Sequence, residues 1–248
     1  MTPASEPGPD PGRGLFETVL VVDGETVELE RHLERLAASA RALYGAEPVL
    51  AELAAAARAQ AAGERFSRLR IELAPAAAAG ELVSTLTLTP QDPAIFFPPR
   101  ERGADLRSFT PPHWAGTHKL ADRAWLERVE AEIGAQVPLI LGPDGEVLEA
   151  GRANVFAVLG GALATPPLDG RILAGTARAS TLELAAELGI AAAERTLGLA
   201  ELGGAEEVFL TSSLRGIRPA RSLDGEPLGE EGEVSTRLGR ALRRRWLG

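Results

Sequence analysis

The chain has 248 residues, enough for one large domain or two of ordinary size. Its 35 acidic residues outweigh 26 basic ones, and the formal charge of −9 argues against a nucleic-acid partner, because neutralising phosphates needs a basic face. With no cysteine, disulfides, thiolate metal sites and a cysteine nucleophile are excluded, and no apolar run reaches the ~18 residues of a membrane span.

The first fourteen residues are rich in Pro and Gly and carry no secretory signal; they predict a disordered tail (1–14) and a cytoplasmic protein. LFETVLVV (15–22), Asp23-Gly24 and ETVELE (25–30) predict a β-hairpin. Helices follow over 31–44, with Leu33, Leu36, Ala40 and Leu43 on one face and Gly45 as the stop, and over about 49–62. Strands are expected at 66–74, 81–89 and 103–109, closing a smaller N-terminal α/β domain (15–109). The loop TPPHWAGTH (110–118) reads as the inter-domain connection to a larger C-terminal domain (119–248). That domain opens with a helix over 120–134 and continues with QVPLIL, EVLEA, ANVFAVL and ALATP as strands. A helix over about 176–188, a buried strand at 206–213 and a final helix from about Glu230 complete it. The terminal arginine cluster follows acidic residues on that helix and is read as complementing its dipole.

Of the 26 basic residues only one, Lys119, is lysine. Guanidinium stays protonated, whereas a lysine amine can lose its proton and attack a carbonyl, so Lys119 is a Schiff-base candidate or a chance survivor. Deprotonating a free lysine at pH 7 costs about 4.6 kcal/mol, which desolvation or neighbouring cations must supply. Glu149, at a strand end, could hold a protonated ring nitrogen or be a turn carboxylate bonded to backbone N–H groups; Asn154 starts the strand that follows. Gly175, Thr176 and Ala177 open a helix whose N–H groups suit an anion. Ser212 and Ser213 offer hydroxyls to a phosphate or cap a turn, and Arg35 could pin an anion or face water. The three histidines fit no metal-ligand spacing, and no metal site is expected.

Taken in order, these segments resemble the class IV aminotransferase family, the pyridoxal-phosphate enzymes of fold type IV. The matching stretches are Phe16-Glu17-Thr18, His32 to Leu36, Lys119, Glu149 to Phe156, Leu173 to Arg178, and Phe209-Leu210-Thr211 leading to Gly216-Ile217-Arg218-Pro219. The resemblance implies a two-domain α/β fold with mixed sheets, pyridoxal 5'-phosphate as cofactor, and a homodimer. It implies that Lys119 forms the Schiff base and moves the proton, and that Glu149, beside Asn154, binds the pyridinium nitrogen. Arg35, the N–H groups of Thr176 and Ala177 after Gly175, and Ser213 would hold the phosphate, with Ser212 alongside and Leu173 against the ring. The family's usual strand before Phe16 has no counterpart, so a shortened N-terminal domain is expected.

Within the family, Thr211 to Pro219 is similar to the segment of the 4-amino-4-deoxychorismate lyases, with Ser212 replacing an asparagine. The tyrosine that branched-chain aminotransferases carry five residues after the lysine is Ala124 here. The expectation is a lyase making 4-aminobenzoate and pyruvate, with Thr18, His118, Arg123 and Arg215 as substrate contacts. An aminotransferase acting on branched-chain or D-amino acids, and a cofactor-binding protein without turnover, are the alternatives.

Overall fold

The computed structural model describes residues 8–76, 81–112, 116–229 and 232–248. In chain order the strands and helices are β1 (Leu15–Val22), β2 (Glu25–Thr26), α1 (Leu29–Tyr44), α2 (Leu50–Ala61), β3 (Phe66–Pro75), β4 (Leu82–Pro90) and β5 (Ala104–Phe109). There follow α3 (Ala124–Ile133), β6 (Val137–Leu141), β7 (Glu146–Ala150), β8 (Asn154–Leu159), β9 (Ala162–Thr165), α4 (Thr176–Glu187), β10 (Ala192–Glu194) and β11 (Leu197–Gly198). The chain ends with α5 (Leu199–Gly203), β12 (Glu207–Ser212), β13 (Gly216–Leu223), β14 (Glu226–Pro227) and α6 (Glu233–Leu247).

Two sheets organise these elements, one in the order β2-β1-β3-β4 and one in the order β10-β9-β8-β12-β13-β5-β6-β7-β11, with β14 beside β13. This is a mixed α/β fold. The Asp23-Gly24 turn takes positive φ at both residues (47° and 85°), the geometry an Asp-Gly hairpin favours. Its second strand is only two residues long, because Glu28 turns left-handed (φ 52°) and α1 begins at Leu29. Alternation then decides which side chains of the first sheet face which way. Leu15, Val19 and Val21 of β1 and Leu69, Ile71 and Leu73 of β3 pack against Leu33, Leu36 and Ala40 of α1. Phe16 and Thr18 of β1 and Arg68 and Arg70 of β3 face the other way and line a cavity.

Three stretches differ from the sequence reading. Residues 11–13 form a short 3-10 helix, Asp10 accepting from the Gly12 N–H and Tyr44 donating to the Pro11 carbonyl, where an unstructured tail is expected; residues 1–7 lie outside the described residues. Strand β5 joins the second sheet, parallel to β13 and β6, so the change of sheet precedes residue 104 rather than falling at 110–118. Before it, Phe96 stacks on Trp246 of α6 with centroids 5.9 Å apart, so this connection already packs on the C-terminal part.

Helix α3 starts at Ala124 rather than 120, since residues 119–121 add themselves to the open edge of β1. Phe16 N–H donates to the Lys119 carbonyl (3.0 Å) and Ala121 N–H to that of Gly14 (2.8 Å). The expected start of the last helix, Glu230, lies outside the described residues. Its observed first turn is capped by the buried Glu207 of β12, which accepts from Val234 and Ser235 N–H. In its last turn Arg245 pairs with Glu183 and Glu187 of α4, a structural use for part of the terminal basic cluster. Among the described residues no helix is long and apolar enough to cross a membrane.

Candidate active site

A cavity of about 600 Å³ lies between the outward face of the first sheet, the start of α4 and the ends of β7, β12 and β13. Lys119 enters it from the segment clipped to β1, its backbone fixed by the two hydrogen bonds above. The amine stands 5.0 Å from the Phe16 ring centroid and 3.8 Å from Glu17 Oε2. Burial foremost, joined by Arg35, Arg123 and Arg70 and opposed by Glu17, brings its pKa down to about 7. A pKa so depressed makes neutral amine available near neutral pH, the condition for attack on a carbonyl.

Glu149 sits at the buried end of β7. It accepts from Asn154 Nδ2 (3.2 Å) and from Leu173 N–H (3.3 Å). Burial pushes its carboxyl up to about 8, against the pull of the Leu173 N–H, Arg123, Arg35 and Lys119. A carboxyl so placed gains most from a cation brought to it, such as a protonated ring nitrogen. Asn154 also donates to the Leu173 carbonyl (2.9 Å), tying β8 to the loop before α4. Gly175 belongs to this clasp, since a Cβ there would collide with Asn154 Oδ1.

The start of α4 has no side-chain cap, leaving its first N–H groups and the positive end of the dipole for an anion. Thr176 and Ala177 are both buried and line the cavity. Thr211 of β12 adds a buried hydroxyl with no hydrogen-bond partner among the described residues. An uncapped helix start and an orphaned hydroxyl around one cavity fit a phosphate, and Thr211 was not among the expected site residues. Ser212 lines the cavity, while Ser213 Oγ donates to the Thr18 carbonyl (2.8 Å) and so links β12 to β1.

Arg35 does not face water. It grips Glu17 through Nε (2.7 Å) and Nη2 (2.6 Å) and donates from Nη1 to the Ala174 carbonyl (2.6 Å), directly before the α4 start. His118 is held by Ser39 of α1, at 3.0 Å from Nδ1 to Oγ. Arg123 donates to the Gly151 carbonyl (2.7 Å) and lies 5.6 Å from the Phe16 ring centroid. Its pKa falls to about 10, through burial first and then Arg152. Arg215 is exposed at the rim.

The structure brings every expected site residue to the wall of this one cavity, and adds four residues besides Thr211 that sequence reasoning missed. Glu17 and His32 lie beneath Arg35; Arg68 and Arg70 line the opposite wall, Arg70 at 3.9 Å from the Phe16 centroid. A signal for Glu17 existed: alternation puts it on the same buried face as Leu15, Val19 and Val21, where a lone carboxylate needs partners.

A near-neutral lysine, a buried carboxyl that favours a cation, and an anion cradle define a site for a carbonyl cofactor bearing a ring nitrogen and a phosphate. Residues 14–223 match the family described as amino-transferase class IV, and the chain belongs to that family. The family's cofactor is pyridoxal phosphate. The branched-chain-amino-acid aminotransferase of Escherichia coli is 37% identical over 111 residues, 44% of this chain and 36% of that protein. A probable-class relative from Thermotoga maritima, also a branched-chain-amino-acid aminotransferase by description, is 41% identical over 93 residues. The chain thus aligns with about a third of the length of these curated relatives (34–36%).

Among solved structures, a hypothetical aminotransferase from Mycobacterium tuberculosis superposes with a TM-score of 0.84 at 25% identity, covering 95% of this chain and 89% of that one. A candidate 4-amino-4-deoxychorismate lyase from Legionella pneumophila shares the fold, with a TM-score of 0.82 at 22% identity over 99% of this chain and 96% of that one.

Proposed function

We propose that the chain is a pyridoxal-phosphate-dependent lyase that converts 4-amino-4-deoxychorismate to 4-aminobenzoate and pyruvate, working as a homodimer. The observation that carries this reading is the surplus of cations along the cavity wall beyond Arg35. Among the described residues, Arg68, Arg123, Arg215 and Arg218 line it without an ion pair to any carboxylate. Arg68 and Arg123 are each held through Nη2, by Thr89 and by the Gly151 carbonyl, while their buried Nε atoms have no partner among the described residues. Buried guanidinium donors left open call for an anion, and a substrate with two carboxylates supplies more than a branched-chain amino acid can. The chain's one tyrosine, Tyr44, is engaged with Pro11 and does not line the cavity.

In this reading Arg35, the N–H groups of Thr176 and Ala177, Ser213 and Thr211 hold the phosphate. Glu149, oriented by Asn154, would hold the ring nitrogen, and Leu173 would pack against the ring. Bound cofactor supplies an electron sink through the substrate's amine. Lys119 removes the proton from the amine-bearing ring carbon. Return of a proton to the departing enolpyruvyl group completes pyruvate and leaves the aromatic ring, so the atoms balance with no second substrate. Arg123 and Arg215 pair with the carboxylates, and Thr18 and His118 border the substrate.

The likeness to the Escherichia coli aminotransferase favours a second reading, transamination of branched-chain or D-amino acids. The experiment is direct: cofactor-loaded protein and aminodeoxychorismate are mixed with no 2-oxo acid. Release of pyruvate and 4-aminobenzoate in equal amounts is expected; turnover only with an added oxo acid contradicts the lyase.

A further inference from the structure

Glu17 is a buried carboxylate bonded by both Arg35 and His32, and nothing in the reaction above uses it. It is 1% exposed, on the apolar side of the first sheet. Oε1 accepts from Arg35 Nε (2.7 Å), and Oε2 accepts from Arg35 Nη2 (2.6 Å) and bonds His32 Nδ1 (2.7 Å). His32, equally buried, continues from Nε2 to Thr176 Oγ1 at 3.3 Å. Lys119 Nζ lies 3.8 Å from the same Oε2.

We propose that Glu17 is a positioning residue: one buried carboxylate fixes Arg35 and His32, joins the two arms of the phosphate cradle, and serves as counter-ion to Lys119. The arms come from distant parts of the chain, Arg35 from α1 and Thr176 from the start of α4, and Glu17 on β1 is the atom set on which both chains of bonds end. The bidentate grip uses Nε and Nη2 of Arg35, leaving the Nη1 edge directed at Ala174 beside the cradle.

An ionised Glu17 requires that His32 Nδ1 carry the proton, so Nε2 accepts from the Thr176 hydroxyl and that residue keeps its backbone N–H for the anion. Burial works to raise Glu17's pKa, but Arg35, Lys119 and His32 together hold it far below the usual carboxylate range, and burial keeps His32 below its ordinary value. The proposal rests on pyridoxal phosphate occupying this cavity and is indifferent to whether the reaction is elimination or transamination.

Glu17→Gln keeps the shape but removes the charge and one acceptor. Binding of pyridoxal phosphate and of phosphate-free pyridoxal is measured by absorbance titration on folded protein, checked by circular dichroism. Expected are a loss of at least about tenfold in pyridoxal phosphate affinity, pyridoxal affinity changed less than about threefold, and capture by Lys119 shifted to lower pH as the counter-ion is lost.

In an Arg35→Gln background the same substitution should cost little further phosphate selectivity, because it acts through Arg35. If Glu17→Gln fails to fold, His32→Gln serves: the Glu17–Arg35 pair stays, and phosphate selectivity should still fall severalfold.

Unchanged or tighter binding of pyridoxal phosphate overturns the proposal, since it would mean that Glu17 merely competes with phosphate for Arg35. Equal losses for the two ligands overturn it too, as a general structural defect. Wild-type protein that takes up no pyridoxal phosphate overturns the cofactor reading and this inference with it, a result distinct from either.

Discussion

The two ends of the cavity use the same side chain in opposite ways. At one end, all three nitrogens of Arg35 are engaged, two by Glu17 and one by the Ala174 carbonyl. At the other, Arg68 and Arg123 hold buried Nε atoms that bond nothing among the described residues. A guanidinium with all three nitrogens bonded is a fixed part of the wall; one with a buried free Nε gains from any further acceptor brought to it. In the proposed reading, the contrast separates a preformed cofactor end from a substrate end that a dianion would complete.

The strongest break comes at the junction between the two ends. Lys119→Ala should abolish the borohydride-reducible link to pyridoxal phosphate and lower turnover by at least about 10³-fold, checked by mass spectrometry of the reduced protein and by product release. Next, Arg123→Gln should reduce kcat/KM for aminodeoxychorismate by about 10²-fold with cofactor affinity unchanged, as equilibrium titration would show. If cofactor affinity falls in step, the two ends are not separable. Gly175→Ala acts at the cofactor end, where the new Cβ displaces Asn154 from Glu149; a loss of about tenfold in pyridoxal phosphate affinity is expected with KM little changed.

A subtler effect concerns pH. Lys119 is depressed to about 7, so its amine is protonated below that value and neutral above it. The rate of cofactor capture by the cofactor-free protein, followed by absorbance, should rise through pH 7 and level off above pH 8. Glu149, raised to about 8, takes on an unfavourable buried charge in the cofactor-free protein as pH rises from its ordinary value of 4.5 through 8. Glu149→Gln should therefore shrink any loss of Tm between pH 6 and pH 9, measured by calorimetry, even as it weakens the cofactor end.

The cofactor end was largely legible in the sequence because its signals are local. Lys119 stands out by composition, Glu149 and Asn154 by five-residue spacing at a strand junction, and Thr176 and Ala177 by a Gly-led helix start. Glu17 was less so, although it lies within a recognised motif: its role depends on the first helix supplying His32 and Arg35 to the same face of β1.

The substrate end was harder still. Arg70 faces the cavity because β1 and β3 pair with Thr18 opposite Arg70, a register set by contacts 52 residues apart rather than by anything near either residue. The same non-local choice explains β5, which reads as a strand of the first unit but finds its parallel partners in β6 and β13. The early start expected for α3 failed for a related reason, since residues 119–121 bond to β1 instead.

The central claim is that the open arginines await two carboxylates. Binding to the cofactor-loaded protein can be followed by tryptophan fluorescence, with Trp125 on the cavity wall, comparing chorismate with the branched 2-oxo acid 4-methyl-2-oxopentanoate. The account predicts that the dicarboxylate binds at least about tenfold more tightly and that Arg123→Gln removes the preference. Equal binding, or preference for the monocarboxylate, would contradict it.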